Sequence, residues 1–312
     1  MKIAFAFPGQ GSQSVGMMAG FDAHPAIRAT FDEASTVLGQ DLWTLVSSGP
    51  EADLNQTFNT QPVMLTAGVA IWRAWKEAGG TMPVVVAGHS LGEYTALVAT
   101  GALAFTDALP LVRFRAQAMQ EAVPEGVGAM AAILGLDAAA VAAICRDATS
   151  GASQVLESVN FNGPEQIVIA GHKEAVVRAI DLATERGAKR GVLLPVSAPF
   201  HSSLLRPAVE KLAARLADVK LNPPSIPVLH NVDVTERRDA DAIRTALSQQ
   251  AASPVRWVEI VEAFAARDVT HVVECGPGRV LSGMNKRIVR ELKSLALTDG
   301  ADIDAAKAAL AG

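Results

Sequence analysis

Short runs of β-branched and aromatic residues alternate along this chain with longer stretches in which apolar side chains recur every three or four positions. That alternation points to an α/β fold built on a parallel sheet. Residues 2–7, Lys-Ile-Ala-Phe-Ala-Phe, read as an apolar strand closed by Pro8-Gly9. Helical periodicity follows over 25–38 and again over 62–77. Residues 83–87 form a β-branched run suited to a strand buried on both faces. A glycine-rich turn comes next, then a helix from about Glu93.

The stretch 127–194 has a different texture. It reads as strand 127–134, helix 138–146, strands 154–160 and 166–170 around the turn Asn162-Gly163-Pro164, helix 173–185 and strand 191–194. That order, βαββαβ, is the ferredoxin-like split motif. The expected organisation is a large α/β-hydrolase-like domain with a parallel central sheet, formed by residues 1–124 and 196–312, with a small ferredoxin-like subdomain, 125–195, inserted into it. The parent pattern resumes with helix 204–216, strands 226–229 and 271–274, and a last helix after Gly276-Pro277-Gly278. The Ala-rich tail 301–312 is expected to fray.

Composition narrows the function classes. Half of the 312 residues are hydrophobic and 19% are charged, enough to bury a large core. A net charge of -5 argues against nucleic acid as the main partner, because phosphate binding needs a basic excess. No apolar run approaches the roughly 20 residues that span a bilayer. The apolar N-terminal run is too short for a signal peptide. Cys145 and Cys275 lie too far apart in sequence for a disulfide framework or a metal-ligand cluster. The chain therefore reads as soluble and cytoplasmic, with no membrane, nucleic-acid or metal partner.

Candidate chemistry centres on Gly88-His89-Ser90-Leu91-Gly92, a G-x-S-x-G pattern between a strand and a helix. Alone the pattern is weak. In this context it is where a nucleophile elbow must sit, with the serine oxygen exposed above a helix N-terminus. The alternative is an ordinary strand–helix turn with a serine cap. A serine hydroxyl needs a base. Of six histidines, His201 lies in Ser197-Ala198-Pro199-Phe200-His201-Ser202, in a loop after a strand and before a helix. His24, His172, His230 and His271 read as loop or strand-end residues. Gly9-Gln10-Gly11 also follows a strand, but Ser14 stands where a dinucleotide-binding G-x-G-x-x-G needs its third glycine. Cys275 has no evident base and reads as a buried thiol.

Several blocks together resemble the malonyl-CoA:acyl-carrier-protein transacylase family. They are Phe7-Pro8-Gly9-Gln10-Gly11-Ser12-Gln13, Gly88-His89-Ser90-Leu91-Gly92-Glu93-Tyr94, Asn160-Phe161-Asn162-Gly163-Pro164, Pro199-Phe200-His201-Ser202 and Gly276-Pro277-Gly278, in order over nearly the whole chain. The resemblance implies a transferase that moves malonyl from malonyl-CoA to an acyl carrier protein by a ping-pong route, without a cofactor. It implies Ser90 as nucleophile, His201 as base, and the N–H groups of Gln10 and Leu91 as the oxyanion hole. It implies that the Gln250 carbonyl orients His201, and that Arg115 pairs with the malonyl carboxylate beside Asn160 and His89. Phe200 departs from the serine common at that position in the family. Phenylalanine there accompanies malonyl selection in related polyketide domains, so either fatty-acid or polyketide synthesis fits.

Three expectations follow. An arginine fork suits a carboxylate, and leaving it buried and unpaired costs roughly 3–5 kcal/mol, so malonyl is expected to win over acetyl by at least about a hundredfold. Activity is expected to fall below the His201 pKa, near 6.5 if unperturbed. Lys189, Arg190, Arg279, Lys286, Arg287 and Arg290 offer positive charge to an acidic carrier. The runner-up is a serine hydrolase, which would need a Ser…Asp/Glu…His order; a silent scaffold is a third reading.

Overall fold

The computed structural model describes residues 1–196 and 198–311; Ser197 and Gly312 lie outside the described residues. The chain begins β1 (Ile3–Phe7), α1 (Pro25–Leu38), α2 (Leu42–Ser48), α3 (Glu51–Leu54), α4 (Thr57–Glu77), β2 (Val85–Gly88), α5 (Gly92–Ala99) and α6 (Phe105–Glu121). It continues with β3 (Gly128–Leu134), α7 (Ala138–Ala148), β4 (Leu156–Gly163), β5 (Gln166–His172), α8 (Lys173–Glu185) and β6 (Arg190–Leu193). After a 3₁₀ turn at Ser203–Leu205 come α9 (Arg206–Ala217), β7 (Val228–Leu229), α10 (Ala240–Gln250), α11 (Trp257–Ala265), β8 (His271–Glu274), α12 (Val280–Ile288), β9 (Lys293–Ala296) and α13 (Gly300–Leu310).

The large sheet is parallel, in the order β7-β2-β1-β8-β9. Its central strand is buried along its length because both faces are covered. Ile3, Phe5 and Phe7 enter the core beneath α4, where the Phe5 ring meets Trp72 edge-on at 5.2 Å. Ala4 and Ala6 face the other way, into the cluster of Trp257, Ile260 and Phe264 on α11. A strand apolar at every position is what two covered faces require.

The second sheet is antiparallel, in the order β4-β5-β3-β6, and uses the βαββαβ connectivity. Alternation along β3 divides its loyalties. Ala129, Ala131 and Ile133 pack under α7 and α8, while Met130 joins the main core. The inserted sheet is thus clamped face-down on the large domain.

The structure corrects the C-terminal expectation. The helix after Gly276-Pro277-Gly278 is not the last, and the Ala-rich segment expected to fray is helical as far as Leu310. β9 adds to the sheet beside β8, and α13 then buries Ile303, Ala306 and Leu310, with Asp299 capping it through the Asp302 N–H. α4 also begins upstream of Pro62. Its first turn, Thr-Phe-Asn-Thr-Gln, breaks apolar periodicity yet buries Thr57, Asn59, Thr60 and Gln61. Among the described residues no helix is long and apolar enough to cross a membrane.

Candidate active site

β1 and β2 are neighbours and end at the same sheet edge. The chain leaving β2 must turn into α5 within three residues, and the two flanking glycines make this possible. A Cβ on Gly88 would come 1.8 Å from the Gly92 carbonyl carbon, and one on Gly92 would come 2.0 Å from the Phe7 carbonyl oxygen. Between them Ser90 is held at φ 52°, and His201 sits at φ 67°. Non-glycine residues rarely adopt this left-handed region, and such strain is found where the surroundings enforce it for function. A simple serine-capped turn would not need it.

Ser90 Oγ lies 2.7 Å from His201 Nε2 across 111 residues of sequence. The Gln250 carbonyl, 2.9 Å from His201 Nδ1, can only accept, so Nδ1 carries the proton and Nε2 presents its lone pair to the serine hydroxyl. The third group on the histidine is therefore a carbonyl and not the Asp or Glu that the hydrolase alternative needs. Burial, reinforced by the Arg115 charge, pushes His201 down to about 3. The acid limb expected near 6.5 moves far below neutrality.

α6 carries two arginines two positions apart, and their fates differ as helix geometry requires. Arg113 is half-buried away from the inner cavity, donates to the Leu38 carbonyl at 3.2 Å and lies 4.8 Å over the Phe58 ring. Arg115 is 1% exposed. It donates to Gln61 Oε1 at 2.9 Å, Gln250 Oε1 at 2.8 Å and Ser90 Oγ at 3.1 Å. Burial lowers its pKa below the ordinary arginine value. Among the described residues no carboxylate pairs with it, and its Nε has no partner.

The balancing anion is one residue removed. Glu93, the only charge in the otherwise uncharged helix α5 and fully buried, takes Gln250 Nε2 at 2.8 Å, the Asn231 N–H at 2.9 Å and His230 Nδ1 at 2.7 Å. Gln250 therefore spans Arg115 and Glu93 with its side chain while its backbone holds His201. Sequence reasoning assigned only the backbone role and gave no role to Glu93, Asn231, His230 or Gln61. A single carboxylate in an apolar helix was the available signal for Glu93, and position just past a strand's C-terminal end was the signal for Asn231.

An inner cavity of about 120 Å³ brings together Gln10, His89, Ser90, Leu91, Arg115, Asn160 and His201, with Met119, Met130, Leu194, Val196 and Phe200 as apolar wall. Gln250 stands behind it. His89 Nε2 is 2.7 Å from Asn162 Oδ1, and burial lowers its pKa. Asn160 Oδ1 is buried without a partner among the described residues. A wider cleft of about 660 Å³ shares Gln10 and Val196 with the inner cavity. Cys275 is buried and its thiol is pushed well up by burial, which fits the inert reading. Among the described residues no three His, Cys, Asp or Glu side chains are placed to hold a metal ion.

Comparison with known proteins adds to this geometry. Residues 4–312 match the family model described as acyl transferase domain. A malonyl CoA-acyl carrier protein transacylase of Salmonella typhimurium is 53% identical over 306 residues, 98% of each chain. The crystal structure of an acyl-carrier-protein S-malonyltransferase from Burkholderia pseudomallei superposes with a TM-score of 0.96 at 59% identity, over 99% of this chain and 100% of that one. A malonyl-transacylase solved in complex with its type II PKS acyl-carrier protein gives 0.97 at 50% identity, over 99% and 100%.

Proposed function

This chain belongs to the malonyl CoA-acyl carrier protein transacylase family, and from that premise we propose that it moves the malonyl group of malonyl-CoA to the phosphopantetheine thiol of an acyl carrier protein through an ester on Ser90. The product supplies fatty-acid or polyketide synthesis. The observation that carries the reading is the 2.7 Å contact between Ser90 Oγ and His201 Nε2, with the buried Arg115 guanidinium 3.1 Å from the same oxygen. Nucleophile, base and a cation for an acyl carboxylate share one small cavity.

In the first half-reaction the Ser90 proton passes to His201 Nε2 as Oγ bonds to the thioester carbonyl carbon. The N–H groups of Gln10 and Leu91 hold the oxyanion. The carbon–sulfur bond then breaks, and His201 returns its proton to the departing CoA sulfur. The carrier thiol repeats the steps in reverse and frees Ser90. One thioester replaces another, so the exchange is near balance and calls for no redox or metal cofactor. Arg115 fixes the malonyl carboxylate through paired N–H donors. The wider cleft, with the amides of Asn55, Gln56 and Gln117 in its walls, gives the thioester arm a way in.

The carrier meets exposed positive charge on and after α12, at Lys286, Arg287 and Arg290. Lys189 and Arg279 are partly spent on Glu165 and Asp302. Charge reversal at Arg287 is expected to raise the carrier-protein KM; an unchanged KM removes it from the docking surface. Two free, buried cysteines are in keeping with a reducing cytoplasm. The direct test is intact-protein mass spectrometry after mixing with malonyl-CoA and quenching in acid. A malonyl adduct on the wild type, absent from Ser90→Ala and discharged by holo carrier protein, is the expected result. Release of free malonate without transfer would return the hydrolase reading.

A further inference from the structure

Asn231 follows β7, whose pairing with β2 aligns Leu229 with Ala87 and leads Asn231 alongside the serine turn. It is fully buried. Its Oδ1 accepts from the Ser90 N–H at 2.7 Å, and its Nδ2 donates to the Gly88 carbonyl at 2.7 Å. One partner can only donate and the other can only accept. A side-chain amide, with one of each, fits both at once. The two contacts fall on the peptide groups either side of His89, so the carboxamide bridges the turn that holds Ser90 at φ 52°.

The clamp is itself anchored. The Asn231 N–H donates to Glu93 Oε2, the same oxygen that receives Gln250 Nε2, and the Gln250 carbonyl in turn holds His201. One buried carboxylate oxygen therefore carries two arms, one reaching the backbone of the serine and one reaching the histidine.

We propose that Asn231 is a positioning residue for acyl transfer, clamping the peptides around His89 so that Ser90 keeps its strained conformation in register with His201. The proposal rests on the acyl-transfer reading of the site above. Without the clamp, the Ser90 peptide is free to relax out of the left-handed region, and displacement of a reacting atom by about 1 Å can cost on the order of a hundredfold. The loss belongs to the chemical step, because Asn231 does not line the cavity that receives the acyl group.

The test compares wild type, Asn231→Ala and Asn231→Asp in malonyl transfer to holo carrier protein from pH 5 to 8, with near-ultraviolet circular dichroism to confirm folding. At pH 8 both variants are expected to lose roughly ten- to a hundredfold in kcat, with KM for malonyl-CoA within about threefold of wild type. Asn231→Asp is isosteric and adds a signature that general loosening would not give. Its ionised carboxylate can accept from Ser90 but repels the Gly88 carbonyl. Once protonated, it donates there as the amide does. The groups around it are Glu93 and His230 on one side and His89, Ser90, His201 and Arg115 on the other; burial and the Glu93 charge favour the protonated form. Its kcat should therefore rise as pH falls, while the wild type stays flat and Asn231→Ala stays low. Wild-type kcat in either variant, a loss confined to KM, or no acid recovery in Asn231→Asp would overturn the proposal. A wild type that transfers no malonyl sinks the underlying reading instead.

Discussion

The parallel sheet reaches the site with the ends of its strands, and the antiparallel sheet reaches it with a face. Gln10 follows β1, Ser90 follows β2 and Asn231 follows β7, all at one edge where backbone N–H groups and tight turns are available. From the inserted sheet come Met130 of β3 and Asn160 of β4, side chains standing out of a surface that is otherwise clamped on the core. Strand ends can present strained backbone and oriented donors; a strand face can present only side chains at a two-residue period. The two sheets therefore divide the labour. The large domain should govern the rate of the chemistry, and the inserted subdomain should govern how well an acyl thioester fits.

The largest effect expected is from Ser90→Ala, which should abolish the acyl adduct and lower turnover by about 10⁴-fold or more. His201→Ala should fall close behind, since the pair acts as a unit and either loss removes most of what both provide. The pH dependence sharpens the point. In the proposed mechanism neutral imidazole is the proton acceptor, and burial with the nearby Arg115 charge lowers His201 to about 3. The active form therefore persists as the solution is acidified and is lost only as pH falls through that value. A plot of kcat/KM for malonyl-CoA is expected to stay level from pH 8 to 5; a decline centred near 6.5 would show that the histidine is far less buried during turnover.

Arg115 comes next; it is a large-domain residue whose proposed role is one of fit, so it strains the division. Arg115→Ala should lower kcat/KM for malonyl-CoA by roughly a hundredfold and leave acetyl-CoA nearly untouched. Arg113→Ala, two positions away, should change either value by less than about threefold, because its guanidinium is committed to the Leu38 carbonyl and the Phe58 ring. The wild-type preference for malonyl over acetyl is expected to be smaller than an unpaired buried arginine would give. Gln61, Gln250 and Ser90 already accept from Arg115, so acetyl does not leave it bare. Tenfold to a hundredfold is the range to look for in paired kcat/KM measurements.

How far the sequence disclosed this site depends on what each residue has to do. Ser90 and His201 were legible because a sharp strand-to-helix turn and a loop histidine leave local signatures in glycine, proline and order along the chain. The inserted sheet was legible because its strands and helices keep their own periods. α13 was misread because an alanine-rich segment says little until a surface exists for Ile303 and Leu310 to cover. The first turn of α4 was missed because its buried residues are polar, and among them Gln61 accepts from the buried Arg115. The arms from Glu93 to Asn231 and Gln250 join segments 138 and 157 positions apart. Such contacts exist only once the parallel strands have set their register, and no local pattern encodes them.

The smallest effect belongs to the subdomain and tests the other half of the comparison. Asn160 lines the inner cavity, and its Oδ1 is buried with no partner among the described residues. A buried acceptor left unmade costs on the order of 1–3 kcal/mol, so the folded protein without substrate gains nothing from this oxygen. If an amide N–H of the pantetheine arm meets it during binding, Asn160→Ala should raise KM by about three- to tenfold, the worth of one hydrogen bond near 1 kcal/mol, and leave kcat within about twofold. The melting temperature should hold steady or rise slightly, because the variant removes an unsatisfied group along with a small packing volume. A fall in kcat at unchanged KM would place Asn160 with the strand-end residues and end the division of labour. A fall in melting temperature with neither constant changed would make it a packing residue, and the inserted sheet would then act on the acyl group through its apolar wall alone.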